Sequence, residues 1–131
     1  MATIRPFLMF EGQAQAAMDL YLSTFPDSRV VSATRYGEHG PGPVGTIQVA
    51  VFTLAGREFM CSDSFVKHAF TFTPSSSIFV ECDDEPMLER VFAALSFQGG
   101  VLMPPGNYGF SKRFAWLNDQ FGVSWQLNVA A

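Results

Sequence analysis

The strongest constraint on the fold is an internal repeat. Laid over one another, the two halves match Ala17 with Met87, Met18 with Leu88, Tyr21 with Val91, Leu22 with Phe92 and Phe25 with Leu95, each pair 70 residues apart. Near their ends, Gly56 to Met60 falls on Gly122 to Gln126 at a spacing of 66, so the second half is the shorter. A repeat of this length means one supersecondary unit used twice.

The matched stretches read as helices. From Glu11-Gly12 to Phe25, apolar residues recur at Ala14, Ala17, Met18, Tyr21, Leu22 and Phe25, the spacing of one helix face. From Asp83 to Phe97 they fall at Met87, Leu88, Val91, Phe92 and Leu95, with Asp83 or Asp84 as N-cap and Glu85-Pro86 suited to the first turn. A short apolar run precedes each helix, Pro6 to Phe10 and Ile78 to Val80. Three strand candidates follow each: Val30 to Tyr36, Thr46 to Leu54 and Glu58 to Cys61, then Gly100 to Met103, Phe110 to Leu117 and Val123 to Asn128. Glycine and proline clusters at Gly37 to Pro43, around Thr73 to Ser76 and at Met103 to Asn107 punctuate the chain.

The fold class is therefore α+β, one domain of two βαβββ modules, about 1–64 and 75–131, joined by 65–74. Each module forms a mixed four-stranded sheet with its helix on one side. The paired sheets are expected to curve around a cleft, so that alternate strand residues face it.

At 131 residues there is no room for a catalytic domain beside a separate cofactor domain. With 48% hydrophobic and 15% charged residues the chain buries enough apolar surface to exclude general disorder. A net charge of −4 supplies no basic surplus to track a phosphate backbone, which argues against nucleic acid as a partner. No run approaches the roughly 20 apolar residues that span a bilayer. The opening Met1-Ala2-Thr3-Ile4-Arg5-Pro6 lacks an export signal, so a cytoplasmic protein is expected. Cys61 and Cys82 form no CxxC pair and read as reduced, buried thiols.

Several segments together resemble a known family. They are Pro6-Phe7-Leu8-Met9-Phe10-Glu11-Gly12 with Ala17-Met18-Asp19-Leu20-Tyr21, the central Cys61-Ser62-Asp63-Ser64, Asn107-Tyr108-Gly109-Phe110-Ser111, and Trp116 through Leu127. The chain resembles the vicinal oxygen chelate superfamily of glyoxalases, extradiol dioxygenases and bleomycin-resistance proteins. Within it, the chain is similar over its whole length to the PhnB-like family, also labelled 3-demethylubiquinone-9 3-methyltransferase. The resemblance implies a homodimer, which would also cover exposed sheet edges.

In metal-using members of that superfamily, four strand positions supply His and Glu ligands to one divalent ion. Carried over by the helix motif and the repeat, they fall at Pro6, Met60, Ser76 and Gln126. Only Gln126 keeps a ligating oxygen of the usual kind, and a neutral amide is a poor substitute for carboxylate on a hard cation. No metal and no cofactor are expected. S-adenosylmethionine transfer calls for a glycine-rich strand-to-helix turn, which neither Gly12-Gln13-Ala14-Gln15 nor the stretch Gly37 to Gly45 supplies. His39 and His68 read as loop histidines, without a metal-binding spacing such as HExxH.

Alternation places Phe59 and Cys61 on the helix side, and Met60 and Ser62 in the cleft. Cys61 has no visible base to activate it. Asp63 either reaches the cleft mouth or caps a loop. On the strand from Phe110 to Leu117, one parity carries Phe110, Lys112, Phe114 and Trp116. If that set faces inward it gives aromatic walls and one ammonium, suited to a flat, partly anionic ligand; if it faces outward it is packing or a dimer surface. The ligand-binding candidates are Leu8, Met60, Ser62, Asp63, Tyr108, Phe110, Lys112, Trp116, Ser124 and Gln126. Two functions follow: a small-molecule binding protein without a catalytic metal, or an enzyme of the superfamily, whether a metal-dependent lyase, isomerase or dioxygenase, or a methyltransferase as the label says.

Overall fold

The computed structural model describes residues 1–131 and resolves the repeat into ten elements. Their order is β1 (Phe7–Phe10), α1 (Ala14–Thr24), β2 (Arg29–Arg35), β3 (Ile47–Leu54), β4 (Arg57–Asp63), β5 (Ser77–Glu81), α2 (Glu85–Ser96), β6 (Gly100–Gly106), β7 (Arg113–Asn118) and β8 (Ser124–Val129). Residues Met1–Ala69 form one compact unit and Phe70–Ala131 a second. The fold is α+β, and the strand-helix-strand-strand-strand order occurs twice.

In the first unit the sheet order is β1-β4-β3-β2, with β1 parallel to β4 and the other pairs antiparallel. One face carries Phe59 and Cys61 of β4 and Ala50, Phe52 and Leu54 of β3, all buried. Phe52 and Phe59 stack across the ladder at 5.6 Å. That face meets the buried side of α1: Ala14, Ala17, Met18 and Tyr21. The register shift between Thr34 and Arg35 is a bulge that reverses the alternation in β3, which is how both Ile47 and Ala50 come to be buried. The β3–β4 turn takes positive φ at both Ala55 and Gly56, the geometry a two-residue hairpin requires.

The second unit repeats the arrangement as β5-β8-β7-β6. Trp125 and Leu127 of β8, Ala115 and Leu117 of β7, and Leu88, Val91 and Leu95 of α2 are fully buried and form its core. Arg113, of the same parity as Ala115 and Leu117, binds Glu89 on α2, which fixes this as the helix-covered face.

The two helices begin differently. α2 carries its own cap, the Asp84 carboxylate accepting from Met87 N at 2.9 Å. At the start of α1 stands Gln13, with no side-chain cap. Asp63, at the end of β4, supplies it instead. Its Oδ1 accepts from Gly12 N and Ala14 N, and its Oδ2 from Ile47 N, each at 2.9 Å. Val129, the matching last residue of β8, has no such task, because α2 caps itself.

Several boundaries depart from the sequence expectation. β4 runs on to Asp63, because β1 pairs with it as far as Phe10↔Asp63. β7 starts only at Arg113: Asn107 Oδ1 accepts from Gly109 N, Gly109 has φ +99, and this turn keeps Phe110 and Ser111 out of the strand, while Lys112 makes only the single backbone bond from its N–H to Val129 O at the strand's mouth. β6 extends through Pro104-Pro105, which is tolerated because it is an edge strand. No helix is long and apolar enough to cross a membrane.

Candidate functional site

Each sheet has a second face that its helix does not cover, and the ladder registers say which residues stand on it. In the second unit one row crosses the sheet as Phe79, Gln126, Trp116 and Met103. Ser77, Ser124 and Asn118 form the row to one side, and Glu81, Asn128 and Phe114 the row to the other. In the first unit the corresponding central row is Phe7, Met60, Val51 and Ser32, flanked by Met9, Ser62 and Val49. Phe7 and Phe79 occupy equivalent places, and each is 53% exposed.

The second face is the more elaborated. The Trp116 indole N–H donates to Ser124 Oγ at 2.9 Å, and Ser124 Oγ lies 2.7 Å from Ser77 Oγ. This chain of bonds fixes the indole plane. Gln126, the direct cross-strand partner of Trp116, is half-buried, and its amide makes no hydrogen bond within the chain. One row on, Asn128 Nδ2 donates to both carboxylate oxygens of Glu81, at 3.3 and 3.1 Å. Phe110 packs edge-on against Phe114 at 5.0 Å, Tyr108 does so at 6.3 Å, and the Tyr108 hydroxyl donates to Pro104 O.

Of the ten candidate residues, Met60, Ser62, Trp116 and Gln126 lie on helix-free faces, and Tyr108 and Phe110 border one through Phe114. Three are placed otherwise, and a fourth, Ser124, stands on the helix-free face of the second unit but is already engaged. Leu8 registers with Cys61, so it faces the helix side, opposite Met60. Asp63 is 3% exposed with both oxygens engaged by backbone N–H groups, so it is a structural cap. Lys112 precedes β7, and its exposed Nζ sits 3.9 Å from Glu85 of α2 rather than beside Trp116. Ser124 is buried and already bonded to Trp116 and Ser77, so it positions the indole and offers no free handle. Glu81 and Asn128 were not foreseen; their two-residue spacing from Phe79 and Gln126 carried the signal.

The metal positions shift as well. Met60 registers with Phe7, not Pro6, and Gln126 with Phe79; Ser76 precedes β5 and sits in a turn, its N–H donating to Thr73 O. A thioether and one neutral amide do not make a site for the hard divalent ion that this fold elsewhere holds. No three His, Cys, Asp or Glu side chains cluster elsewhere.

The thiols are inert by environment. Burial, reinforced by the Asp63 carboxylate, pushes Cys61 from 9.0 to about 12. Cys82 rises to about 11, chiefly through burial, with Asp83 and Glu81 adding and a backbone hydrogen bond and Arg90 opposing. A cavity of about 180 Å³ opens beside Gly12, Pro43, Thr46, Phe65 and Lys67. It is below the roughly 300 Å³ that organic ligands occupy, and both oxygens of the Asp63 carboxylate in its wall already accept backbone N–H groups.

The family described as 3-demethylubiquinone-9 3-methyltransferase matches residues 2–128. Among solved structures, a PhnB protein from Bacillus cereus, also carrying the 3-demethylubiquinone-9 3-methyltransferase label, is 54% identical. The match covers 98% of this chain and 100% of that one, with a TM-score of 0.96. Protein PA1353 from Pseudomonas aeruginosa is 26% identical over 99% of this chain and 98% of its own, with a TM-score of 0.84. The fosfomycin resistance protein FosX from Listeria monocytogenes, in a complex with Mn(II) and dihydroxypropylphosphonic acid, shares the fold at 11% identity. There the match covers 100% of this chain and 94% of that one, with a TM-score of 0.65. Comparison with curated proteins gives no match.

Proposed function

The chain belongs to the 3-demethylubiquinone-9 3-methyltransferase family, the PhnB-like branch of the vicinal oxygen chelate fold, and from that premise we propose that it is a small-molecule binding protein. The ligand lies against the helix-free sheet face of the second unit, on Trp116, Gln126, Tyr108 and Phe110; the equivalent face of the first unit, with Met60 and Ser62, is a second candidate surface in its own right. The observation that carries this reading is the pairing of Trp116 with a Gln126 amide that has no partner in the chain. A half-buried polar group beside an oriented aromatic plane is the combination that small-molecule sites use to fix orientation.

The methyltransferase description is a property of the family label. In this chain the turn from β1 to α1 has one glycine, Gly12, and its N–H is taken by Asp63 at 2.9 Å. A nucleotide-like cofactor finds no backbone cradle there. Isothermal titration against a metabolite panel, with S-adenosylmethionine included, tests the reading. A binding isotherm for an aromatic or amphipathic metabolite that Trp116→Ala abolishes supports it. It fails if nothing in the panel binds, or if S-adenosylmethionine alone does.

The assembly belongs to the same proposal. β2 and β6 are sheet edges with exposed Val30, Val31, Val101 and Leu102, and a second copy would cover such edges. Sedimentation at micromolar concentration should give a dimer of this chain. We place the protein in the cytoplasm, consistent with its two unpaired cysteines, and cell fractionation tests that.

A further inference from the structure

Resting on the ligand face of the second unit, we propose that its ligand is a planar organic cation bearing N–H donors. Four observations on one sheet face select that chemistry.

The first is charge. The strand positions of this face are Ser77, Phe79, Glu81, Ser124, Gln126, Asn128, Phe114, Trp116, Asn118 and Met103, with glycines at the edge, and none of them is basic. Glu81 supplies a carboxylate with no ion-pair partner. The nearest basic side chains on the flanking segment and on β7, Lys112 and Arg113, turn to Glu85 and Glu89 of α2. A carboxylate beside aromatic faces, with no opposing cation, favours a positive guest and penalises a negative one.

The second is an orphaned acceptor. Asn128 is 8% exposed, and its Oδ1 is buried without a hydrogen-bond partner. Its orientation is fixed, because turning the amide over would set that oxygen against the Glu81 carboxylate and lose the bonds from Nδ2. A buried acceptor held in this way is satisfied by a donor brought from outside. On the other side of the Trp116 row, Asn118 Oδ1 is likewise buried and unpartnered.

The third is the aromatic surface. Phe79 is 53% exposed, and Trp116 is half-buried, its indole N–H bonded to Ser124, which in turn bonds Ser77. An indole held this way stacks a flat ring without losing rotamer freedom on binding, and it attracts positive charge over its face. The fourth is Gln126, whose free amide lies between these groups and can both donate and accept. Aromatic planes, a carboxylate and an inward-held acceptor together describe the recognition of a flat, protonated amine or amidine.

Fluorescence titration with three acridines separates the elements. Proflavine is planar, cationic and carries two amino donors; N-methylacridinium is planar and cationic without N–H; acridine-9-carboxylate is planar and anionic. Proflavine should bind at least about tenfold tighter than the carboxylate, with N-methylacridinium between them. Glu81→Gln should weaken proflavine about fivefold at moderate salt, while the same change at the loop residue Glu38 leaves it unaltered. Equal or tighter binding of the carboxylate overturns the inference but leaves the ligand face intact. So does a Glu81→Gln effect no larger than that of Glu38→Gln, which reduces the preference to the net charge of the protein. If no acridine of any charge binds, and no member of the metabolite panel does, the ligand face itself is refuted.

Discussion

Trp116 of β7 stands directly across the antiparallel ladder from Gln126 of β8, and its indole N–H is bonded to Ser124 Oγ, two residues before Gln126 on the same strand. One strand therefore provides both the group that orients the ring and the polar group beside it. Ser124→Ala removes the orienting bond without touching the exposed ring face. Ligand affinity should fall by about three- to tenfold in Ser124→Ala and by more than that in Trp116→Ala, since aromatic contacts contribute about 0.5–1.5 kcal/mol beyond area. Titration of both variants checks the order, and a Ser124→Ala loss exceeding that of Trp116→Ala would contradict the positioning role.

Leu8 and Met60 sit on neighbouring strands but on opposite faces of the first sheet. Leu8→Ala should lower unfolding free energy by about 1.5 kcal/mol, less than for a fully enclosed leucine, and leave ligand binding unchanged. Met60→Ala should cost less stability than Leu8→Ala, because Met60 stands on the helix-free face and is only half-buried, and should weaken only a ligand held on that first-unit face. Urea denaturation alongside titration distinguishes the two.

Asp63 ties the start of α1 and the start of β3 to the end of β4 through three backbone N–H groups. Hydrogen bonds to a charged group contribute about 1.5–3 kcal/mol each and are not additive. Asp63→Ala should cost about 3–5 kcal/mol. Asp63→Asn should cost less but remain clearly destabilising, because an amide cannot accept on both sides. Denaturation midpoints measure both, and a cost within about 0.5 kcal/mol for either would contradict the capping role.

The thiols give a pH dependence with a defined sign. Cys61 and Cys82 have folded values raised to about 12 and about 11 from 9.0, so the unfolded chain loses its thiol protons first. Their stabilisation is complete below the unfolded value and is lost as pH climbs toward the folded ones. The slope is about 1.4 kcal/mol per pH unit for each thiol. Cys61→Ala should flatten the decline in stability between about pH 9 and pH 11, as read from urea titrations across that range. An unchanged slope would contradict it. Native protein should also react slowly with a disulfide reagent at neutral pH.

Both helices and the doubled strand order were legible because each element carries a local period. The faces of the inner strands β4 and β8 were legible too, since alternation within them is unbroken. The first strand of each module was not. Its facing is set by a parallel partner far along the chain, and local alternation holds no record of that register. Alignment on the helices carries Pro6 to Ser76 at 70 residues, whereas the ladders make Phe7 and Phe79 equivalent at 72, so the connection from first strand to helix differs in length between the modules. Lys112 was misplaced because a turn centred on Gly109 removes it from the strand whose parity was applied to it. Asp63 could be recognised as a cap, but not as the cap of a helix 49 residues away in sequence.

The central claim is that a small organic molecule docks on the helix-free face of the second sheet, and side-chain NMR observes that face directly. Amide and indole resonances should be followed while a planar ligand is titrated in. Saturable shifts at the Trp116 indole N–H and the Gln126 side-chain amide are expected, with the fully buried Trp125 indole unmoved. Shifts centred on the cavity beside Gly12 and Lys67, with Trp116 and Gln126 silent, would contradict it.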